Sequence, residues 1–136
     1  MPTAEPPAAV ATVHVDDAPE VLAPDGSAVR VLVRTAGGSM ARFSLPGFGV
    51  SRAVVHRTVD ELWYFIAGCG QMWLRYGEQE SIADVVPGTS IAIPVGTEFQ
   101  FRSCSADTLH AVGVTIPPWP GESEAAVVTG PWSATV

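Results

Sequence analysis

Short apolar segments, separated by turns rich in glycine and proline, recur at close intervals along this chain of 136 residues. No stretch has the sustained 3.6-residue period of an amphipathic helix. This pattern is typical of an all-β sandwich or barrel built from short strands. We predict strands at 11–15, 20–22, 28–34, 40–45, 52–56, 61–66, 71–76, 80–86, 91–93, 98–102 and 109–116.

The length suits a single domain with one core. Residues 1–10 are rich in proline and alanine, and we expect them to form a flexible N-terminal arm. The barrel itself is predicted over 11–116. Residues 117–136 contain several prolines and two tryptophans. We expect this segment to form an extended C-terminal tail that packs on the barrel or on a partner subunit.

The composition argues against several classes of protein. The chain is 47% hydrophobic and 15% charged, which is too apolar for intrinsic disorder. A net charge of −7 and the absence of lysine argue against a nucleic-acid partner. No apolar run reaches the roughly 18 residues of a membrane span, and the N-terminus does not resemble a secretion signal. We therefore predict a cytoplasmic protein with no membrane partner. We expect Cys69 and Cys104 to be reduced thiols, and a disulfide between them is the alternative.

The run from residue 52 to residue 68 contains the strongest candidates for functional side chains. It fits two strands joined by a short polar turn. Because side chains alternate along a strand, Arg52 and His56 would share one face of the first strand. Glu61, Trp63 and Phe65 would share one face of the second. If both faces point inward, an arginine, an imidazole and a carboxylate meet among aromatic rings, where charges need partners, a metal or a ligand.

Two segments resemble the motifs of the cupin superfamily. Glu61 and Gly68 fit the second half of the first motif, and His56 falls on the second of its two histidines. Residues 88–96, with the sequence GTSIAIPVG, fit the glycine, proline and glycine of the second motif. The resemblance implies a small single-domain cupin, which is a double-stranded β-helix or jelly-roll barrel.

The chain departs from the metal-binding cupins at the positions that hold the metal. The resemblance places Val54 at the first histidine and Phe99 at the histidine of the second motif. Neither side chain has a metal-ligating group. Only His56 and Glu61 remain, so the resemblance implies no metal cofactor.

A divalent metal held by His56, Glu61 and non-standard ligands is the first alternative. His14 and His110 are the other histidines of the chain. Neither has a companion residue at ligand spacing, so we expect neither to complete a metal site.

His56 and Glu61 are the predicted catalytic pair. His56 would carry a proton to or from the ligand, with Glu61 as its negatively charged neighbour. Arg52 would offer a planar donor fork to a carboxylate or phosphate of the ligand. The other predicted ligand-binding residues are Gln71 and the aromatic walls Trp63, Phe65, Trp73, Phe99 and Phe101.

These features predict a cupin that binds a small organic molecule inside its barrel. Because metal-free cupins include sugar epimerases and isomerases, the resemblance suggests an enzyme of isomerase or epimerase type that works by proton transfer. The alternatives are a metal-dependent oxygenase or isomerase, and a non-catalytic binder or sensor. Leu62, Tyr64 and Ile66 lie on the face opposite Glu61, and this apolar outer face predicts a homodimer.

Overall fold

The computed structural model describes residues 10–136, which form eleven strands and two short 3-10 helices. The strands are β1 Glu20–Leu22, β2 Ala28–Arg34, β3 Ser39–Leu45, β4 Val54–His56, β5 Asp60–Ala67, β6 Gly70–Tyr76, β7 Gln79–Val85, β8 Ser90–Ile93, β9 Glu98–Ser103, β10 Leu109–Ile116 and β11 Ala125–Val127. The 3-10 helices are Val15–Asp17 and Glu122–Glu124. The predicted N-terminal arm lies, except for its last residue, outside the described residues. Within 10–136 no helix has the length and apolar character needed to cross a membrane.

The strands form two antiparallel sheets that face each other. The first sheet has six strands in the order β1-β2-β3-β10-β5-β8, and the second has five in the order β11-β4-β9-β6-β7. Apart from β1 to β3 and the pair β6 and β7, strands that follow each other in sequence lie in different sheets, so the chain passes repeatedly between them. The apolar core lies between the sheets and is built from Leu45, Val54, Trp63, Phe65, Met72, Val85, Ile93, Phe99, Phe101, Leu109 and Ala111. The predicted all-β class is confirmed.

Alternation along β5 determines which side chains enter the interior. Glu61, Trp63 and Phe65 are buried, whereas Leu62 and Tyr64 between them are 51% and 52% exposed. This is the period of two that the sequence predicts for a strand with one solvated face. The carboxylate at position 61 is therefore carried inward by the same register that buries the aromatic rings.

The glycines of the two cupin-like motifs lie in turns with left-handed backbone conformation. Gly68 precedes β6, Gly88 precedes β8 and Gly96 precedes β9, with φ values of 80°, 99° and 84°. Residues with a Cβ atom adopt this conformation only at an energetic cost. The glycine spacing that carries the family resemblance thus marks the positions where the chain must turn between strands.

The predicted strand at 11–15 is wrong. Residues 11–14 have no regular secondary structure, and the 3-10 helix Val15–Asp17 follows them. Nδ1 of His14 accepts a hydrogen bond from the backbone N–H of Asp16 at the start of this helix. Val13 is exposed, so the apolar residues of this stretch do not enter the core. Without a neighbouring strand and a buried face, a short alternating run has nothing to pair with.

The C-terminal tail packs on the second sheet of its own barrel. Its strand β11 pairs with β4. Farther along, the backbone N–H of Val128 donates to the carbonyl of Ala53 at 2.9 Å. The side chain of Gln100 donates to the carbonyl of Trp132 and accepts from its backbone N–H. Because the tail covers the outer face of β9, the centre of that strand is buried on both faces.

Candidate functional site

A cavity of about 340 Å³ opens between the two sheets, where β1 approaches the start of the tail. Leu22 and Glu122 are exposed and lie at its mouth, whereas His56 and Glu61 are buried. Other side chains that line the cavity are Asp25, Val29, Arg34, Met40, Phe43, Val54, Trp63, Phe99, Thr115 and Trp119. A volume of this size is typical of a small-molecule site.

His56 and Glu61 meet inside this cavity. His56 ends β4 in the second sheet, Glu61 lies at the start of β5 in the first, and the turn at 57–59 joins them. Nδ1 of His56 lies 2.9 Å from Oε1 of Glu61. The oxygen is off the direction of the ring N–H, so Nδ1 has a close carboxylate neighbour without a well-aligned hydrogen bond. The structure thus brings together the two residues predicted as a pair.

The other carboxylate oxygen of Glu61 is held by Trp63. Its indole Nε1 donates to Oε2 of Glu61 at 3.0 Å. Glu61 is 2% exposed, and a buried carboxylate is tolerated only when it has hydrogen-bond donors or an opposite charge close by. Since Trp63 follows Glu61 by two residues on the same face of β5, strand alternation itself supplies the donor.

Aromatic rings form one wall of the cavity. Phe43 stacks on Trp63 with ring centroids 4.6 Å apart and planes at 14°. Phe99 meets Trp63 edge-on at 5.9 Å. Gly113 on β10 lies opposite Trp63, and a Cβ atom there would come within 2.6 Å of the Phe43 ring. The glycine therefore leaves the space that the stacked rings occupy.

Trp119, in the segment after β10, lies over His56. The two ring centroids are 5.3 Å apart at an interplanar angle of 66°. The backbone N–H of Trp119 donates to Oγ of Ser39 at 2.9 Å, which fixes this segment against β3. Sequence analysis assigned Trp119 no function, because it lies outside both motifs in a proline-rich segment. The only signal was a tryptophan flanked by prolines on both sides.

Asp25 is an ionisable residue of the cavity that sequence analysis missed. It lies between β1 and β2 and is 4% exposed. Ser27 donates its backbone N–H and its hydroxyl to Oδ1, at 2.9 and 2.6 Å. Burial raises the pKa of Asp25, the Ser27 hydrogen bonds act in the opposite direction, and the negative charge of Glu61 raises it further. The sequence Pro-Asp-Gly has the form of a surface turn, so nothing in it indicated burial.

The predicted position of Arg52 inside the barrel is wrong. Its side chain is exposed and lines an open depression of about 360 Å³ that adjoins the mouth of the cavity, where both are lined by Leu22 and Glu122. Regular strand structure begins only at Val54, so the alternation cannot be extended back from His56. The backbone N–H of Arg52 instead donates to the carbonyl of Asp25 at 2.8 Å, which ties the two chain segments together.

Gln71 and Trp73 also lie outside the cavity, on the outer face of the second sheet. Gln71 accepts a hydrogen bond from Arg102 at 2.6 Å. Trp73 lies opposite Gln100 on β9 and donates its Nε1 to Oε2 of Glu80 at 2.6 Å. Their predicted inward orientation is therefore wrong. Trp73 is buried on the outer face while its neighbour Met72 is buried on the inner face, so the alternation along β6 is ambiguous.

The predicted aromatic walls divide into two groups. Trp63 and Phe99 line the cavity. Phe65 and Phe101 are completely buried in the core and do not reach it. These two rings support the wall from behind; Phe101 meets Trp63 edge-on at 5.0 Å.

The residues around His56 and Glu61 do not fit a metal site of the kind found in metal-binding cupins. Val54 and Phe99, which the motif resemblance aligns with two metal-binding histidines, are buried and lie opposite each other on β4 and β9. Within residues 10–136 no group of three or more histidine, cysteine, aspartate or glutamate side chains is placed to hold a metal ion.

The remaining histidines lie away from this pair. His110 Nδ1 is 2.6 Å from Oγ of Ser44, and burial, followed by the positive charge of Arg42, lowers the pKa of His110. On β10, Thr115 lies opposite Glu61, and His110 precedes Thr115 by five residues. At about 3.3 Å per residue, His110 and Thr115 are roughly 16 Å apart along the strand. His110 is therefore far from Glu61. The other one, His14, begins the first 3-10 helix and does not line the cavity.

Cys69 and Cys104 are free thiols at neighbouring positions. The backbone N–H of Cys104 donates to the carbonyl of Cys69 at 3.1 Å. Burial, followed by the neighbouring Cys69, raises the pKa of the Cys104 thiol. Neither residue lines the cavity, so neither belongs to the candidate site.

Comparison with known proteins gives matches at the level of structure. No protein-family model matches the sequence, and no curated protein matches it. The fold is similar to Pac13, a nucleoside dehydratase, at 14% identity and a TM-score of 0.69, covering 88% of this chain and 92% of that one. Pac13 of Streptomyces is also similar in a structure with uridine, at 15% identity and a TM-score of 0.69, covering 89% and 92%.

Two further structures place the chain in the same fold. A protein of Klebsiella pneumoniae with a double-stranded β-helix domain is 14% identical with a TM-score of 0.64, covering 76% of this chain and 85% of that one. The oxalate decarboxylase of Lactobacillus farciminis, in a formate complex, is 14% identical with a TM-score of 0.70, covering 85% and 35%. At sequence identities this low, structural similarity establishes a shared fold but not a shared function. The chain is therefore a small barrel of the cupin type, a double-stranded β-helix, as its two sequence motifs predict.

Proposed function

We propose that this protein is an enzyme of isomerase or epimerase type, which binds a small polar molecule in the barrel and moves a proton on it without a metal ion. The observation that carries the proposal is the buried contact between His56 and Glu61 on the wall of the cavity. A histidine beside a carboxylate in a largely apolar cavity is a common arrangement for general acid–base catalysis.

His56 is the proposed proton carrier. Its Nδ1 lies against Glu61 at 2.9 Å, which directs the opposite ring nitrogen, Nε2, away from the carboxylate. Because imidazole changes charge near neutral pH, Nε2 can accept a proton from a carbon acid and return it. Glu61 is the proposed positioning residue, since it stabilises the imidazolium that forms when His56 accepts the proton.

The cavity sets the size and character of the ligand. At about 30 Å³ per water molecule, 340 Å³ has room for roughly eleven water-sized groups. This suits a monosaccharide or a ligand slightly larger that extends through the mouth. The rings of Trp63 and Phe99 offer flat apolar contact, while Asp25, Thr115 and Arg34 offer polar contact. The similarity to a nucleoside dehydratase and to a structure with uridine supports a hydroxylated small molecule.

Proton exchange in D₂O tests the proposal. The purified protein is incubated with a panel of uridine, pentoses, hexoses and simple hydroxyketones, and NMR follows the replacement of carbon-bound hydrogen by deuterium. We expect exchange of one carbon-bound hydrogen in at least one compound, together with a product. The variant His56→Gln, which keeps a polar side chain, should lose this exchange by a factor of about 10² to 10⁴.

The exchange experiment, together with calorimetry and metal analysis, separates the alternatives. Binding of a panel compound by calorimetry with no exchange and no product would favour a non-catalytic binder or sensor. Exchange that persists undiminished in His56→Gln would remove His56 as the proton carrier. Metal analysis of protein purified without chelator addresses the metal-dependent alternative, and one equivalent of a divalent ion per chain would overturn metal-free catalysis.

A further inference from the structure

We propose that Asp25 is a second catalytic residue of this cavity, the acid that gives a proton to an oxygen of the substrate while His56 removes one from carbon. The substrate would then be an α-hydroxy aldehyde or an α-hydroxy ketone. This inference rests on the proposed function, because it completes the proton transfer that His56 begins.

The position of Asp25 is the first argument. Its side chain is 4% exposed, lines the cavity and is carried by the segment between β1 and β2. Ser27 donates two hydrogen bonds to Oδ1. Among the described residues none donates a hydrogen bond to Oδ2. A buried carboxyl group with one oxygen fixed and the other without a partner is ready to hydrogen-bond a ligand.

The surroundings of Asp25 favour the protonated form. Burial is the largest effect and raises its pKa, while the two hydrogen bonds from Ser27 lower it. The negative charge of Glu61 on β5 raises the pKa and the imidazole of His56 on β4 lowers it. Arg34 and Glu122 are the other charged residues that line the cavity. A carboxyl group with a raised pKa, close to a histidine and a second carboxyl group, allows the acid and base functions to be divided between two environments.

The chemistry balances without a further reactant. Nε2 of His56 takes the proton from the carbon that bears the hydroxyl, and the electrons of that C–H bond form a carbon–carbon double bond. The π electrons of the carbonyl move to its oxygen, which takes the proton of Asp25. The resulting enediol breaks down when both proton transfers run in reverse. His56 returns its proton to a carbon, and Asp25 recovers a proton from an oxygen. When the proton returns to the neighbouring carbon, the net result is an isomer in which the carbonyl group has moved by one carbon.

A titration tests the protonation of Asp25 directly. The protein labelled with ¹³C at aspartate carboxyl carbons is titrated by NMR, and Asp25→Asn identifies the signal of residue 25. We expect a midpoint above that of an ordinary aspartate. A midpoint at or below the ordinary value would overturn the inference, whatever the enzyme does.

The variant Asp25→Asn is a near match in shape and retains an oxygen that can accept both hydrogen bonds from Ser27. When a carboxyl group has a higher pKa in the folded than in the unfolded protein, the folded state holds the proton more tightly. The fold then loses stability as the pH rises from the ordinary aspartate pKa through the folded-state pKa. Asp25→Asn should therefore unfold in urea at pH 7 no more easily than the unaltered protein. A large loss of stability would instead indicate a structural role.

Kinetics complete the test with the panel compound that the unaltered protein exchanges. We expect Asp25→Asn to lower kcat by a factor of about 10² to 10⁴ and to remove the decline in rate at high pH that accompanies loss of the Asp25 proton. Ser27→Ala keeps the carboxyl group and should cost much less. Exchange by the unaltered protein that is unchanged in Asp25→Asn would overturn this inference alone. Absence of exchange by the unaltered protein would overturn the proposed function as well.

Discussion

The indole of Trp63 donates its Nε1–H to Oε2 of Glu61 at 3.0 Å, and the opposite oxygen of the same carboxylate faces His56. One tryptophan thus serves both the packing of the aromatic wall and the orientation of the buried carboxylate. The relationship follows from the register of a single strand, because residues 61 and 63 lie on one face of β5.

Trp63→Phe should separate these two functions. Phenylalanine keeps an aromatic ring but leaves Oε2 of Glu61 without its donor, and a hydrogen bond to a charged group contributes about 2 kcal/mol. We expect the free energy of unfolding in urea to fall by about that amount and proton exchange to slow. Trp73→Phe is the matched control, since Trp73 donates to Glu80 outside the cavity. It should lose comparable stability and retain exchange; equal losses of exchange in both variants would contradict this role of Trp63.

Glu124 should contribute stability that is lost in acid. Its buried carboxylate accepts hydrogen bonds from the backbone N–H and hydroxyl of Thr58 and from the backbone N–H of Val59. Burial alone would raise the pKa of Glu124, but these hydrogen bonds outweigh it and lower the pKa below the ordinary 4.5. Because the pKa of Glu124 is lower in the folded state, its carboxylate stabilises the fold fully at pH values above the ordinary pKa. This stabilisation is lost as the pH falls through the folded-state pKa.

Glu124→Gln should therefore reduce the free energy of unfolding at pH 7 by about 2 kcal/mol. The difference from the unaltered protein should shrink as the pH is lowered below 4.5. Urea denaturation across a pH series measures this. Glu122→Gln is the control, since Glu122 is exposed. A difference that is independent of pH would indicate that the charge of Glu124 is not responsible.

Trp119→Ala should weaken ligand binding more than it weakens the fold. The ring lines the cavity beside His56 and is only half-buried. Loss of one aromatic contact of about 1.4 kcal/mol corresponds to a tenfold rise in Kd for the panel compound that the protein binds. Calorimetry measures this change. Trp132→Ala removes a tail tryptophan that packs on Arg102 away from the cavity; it should leave Kd unchanged, and a similar rise in both variants would assign the effect to the tail as a whole.

Self-association is expected through the outer face of β5. Leu62, Tyr64 and Ile66 are 51%, 52% and 44% exposed, and adjacent apolar side chains on a sheet face are usually covered by a partner. We expect a homodimer by analytical ultracentrifugation at micromolar concentration, and a monomer for the double variant Leu62→Glu/Ile66→Glu. The control Ile82→Glu alters an equally exposed residue on the second sheet. A monomeric unaltered protein would contradict the expectation.

Most strands could be predicted from the sequence, because turns and period-two alternation are local signals. The same signals brought His56 and Glu61 together, since both are fixed by one short turn and by regular strands on either side. They failed at Arg52, where the backbone before Val54 is not a regular strand and carries no alternation. They failed at Trp73 because this ring is buried although it lies on the outer face of the second sheet, so an apolar side chain does not mark the inner face there.

Asp25 and Trp119 could not be predicted, for a different reason. Each reaches the cavity through packing between segments far apart in sequence: Asp25 next to residue 52, and Trp119 against Ser39. A turn aspartate and a tail tryptophan have no local pattern that signals burial beside His56. Such residues become visible only when the sheets have been assembled.

The pairing of β11 with β4 makes one segment responsible for two features of the barrel. β4 ends at His56, and Trp119, which lies between β10 and β11, contacts the imidazole ring. Removal of residues 117–127 would leave β4 with an unpaired edge and His56 without this aromatic neighbour. Damage to the rim of the second sheet would thus reach the interior of the barrel through the same stretch of chain.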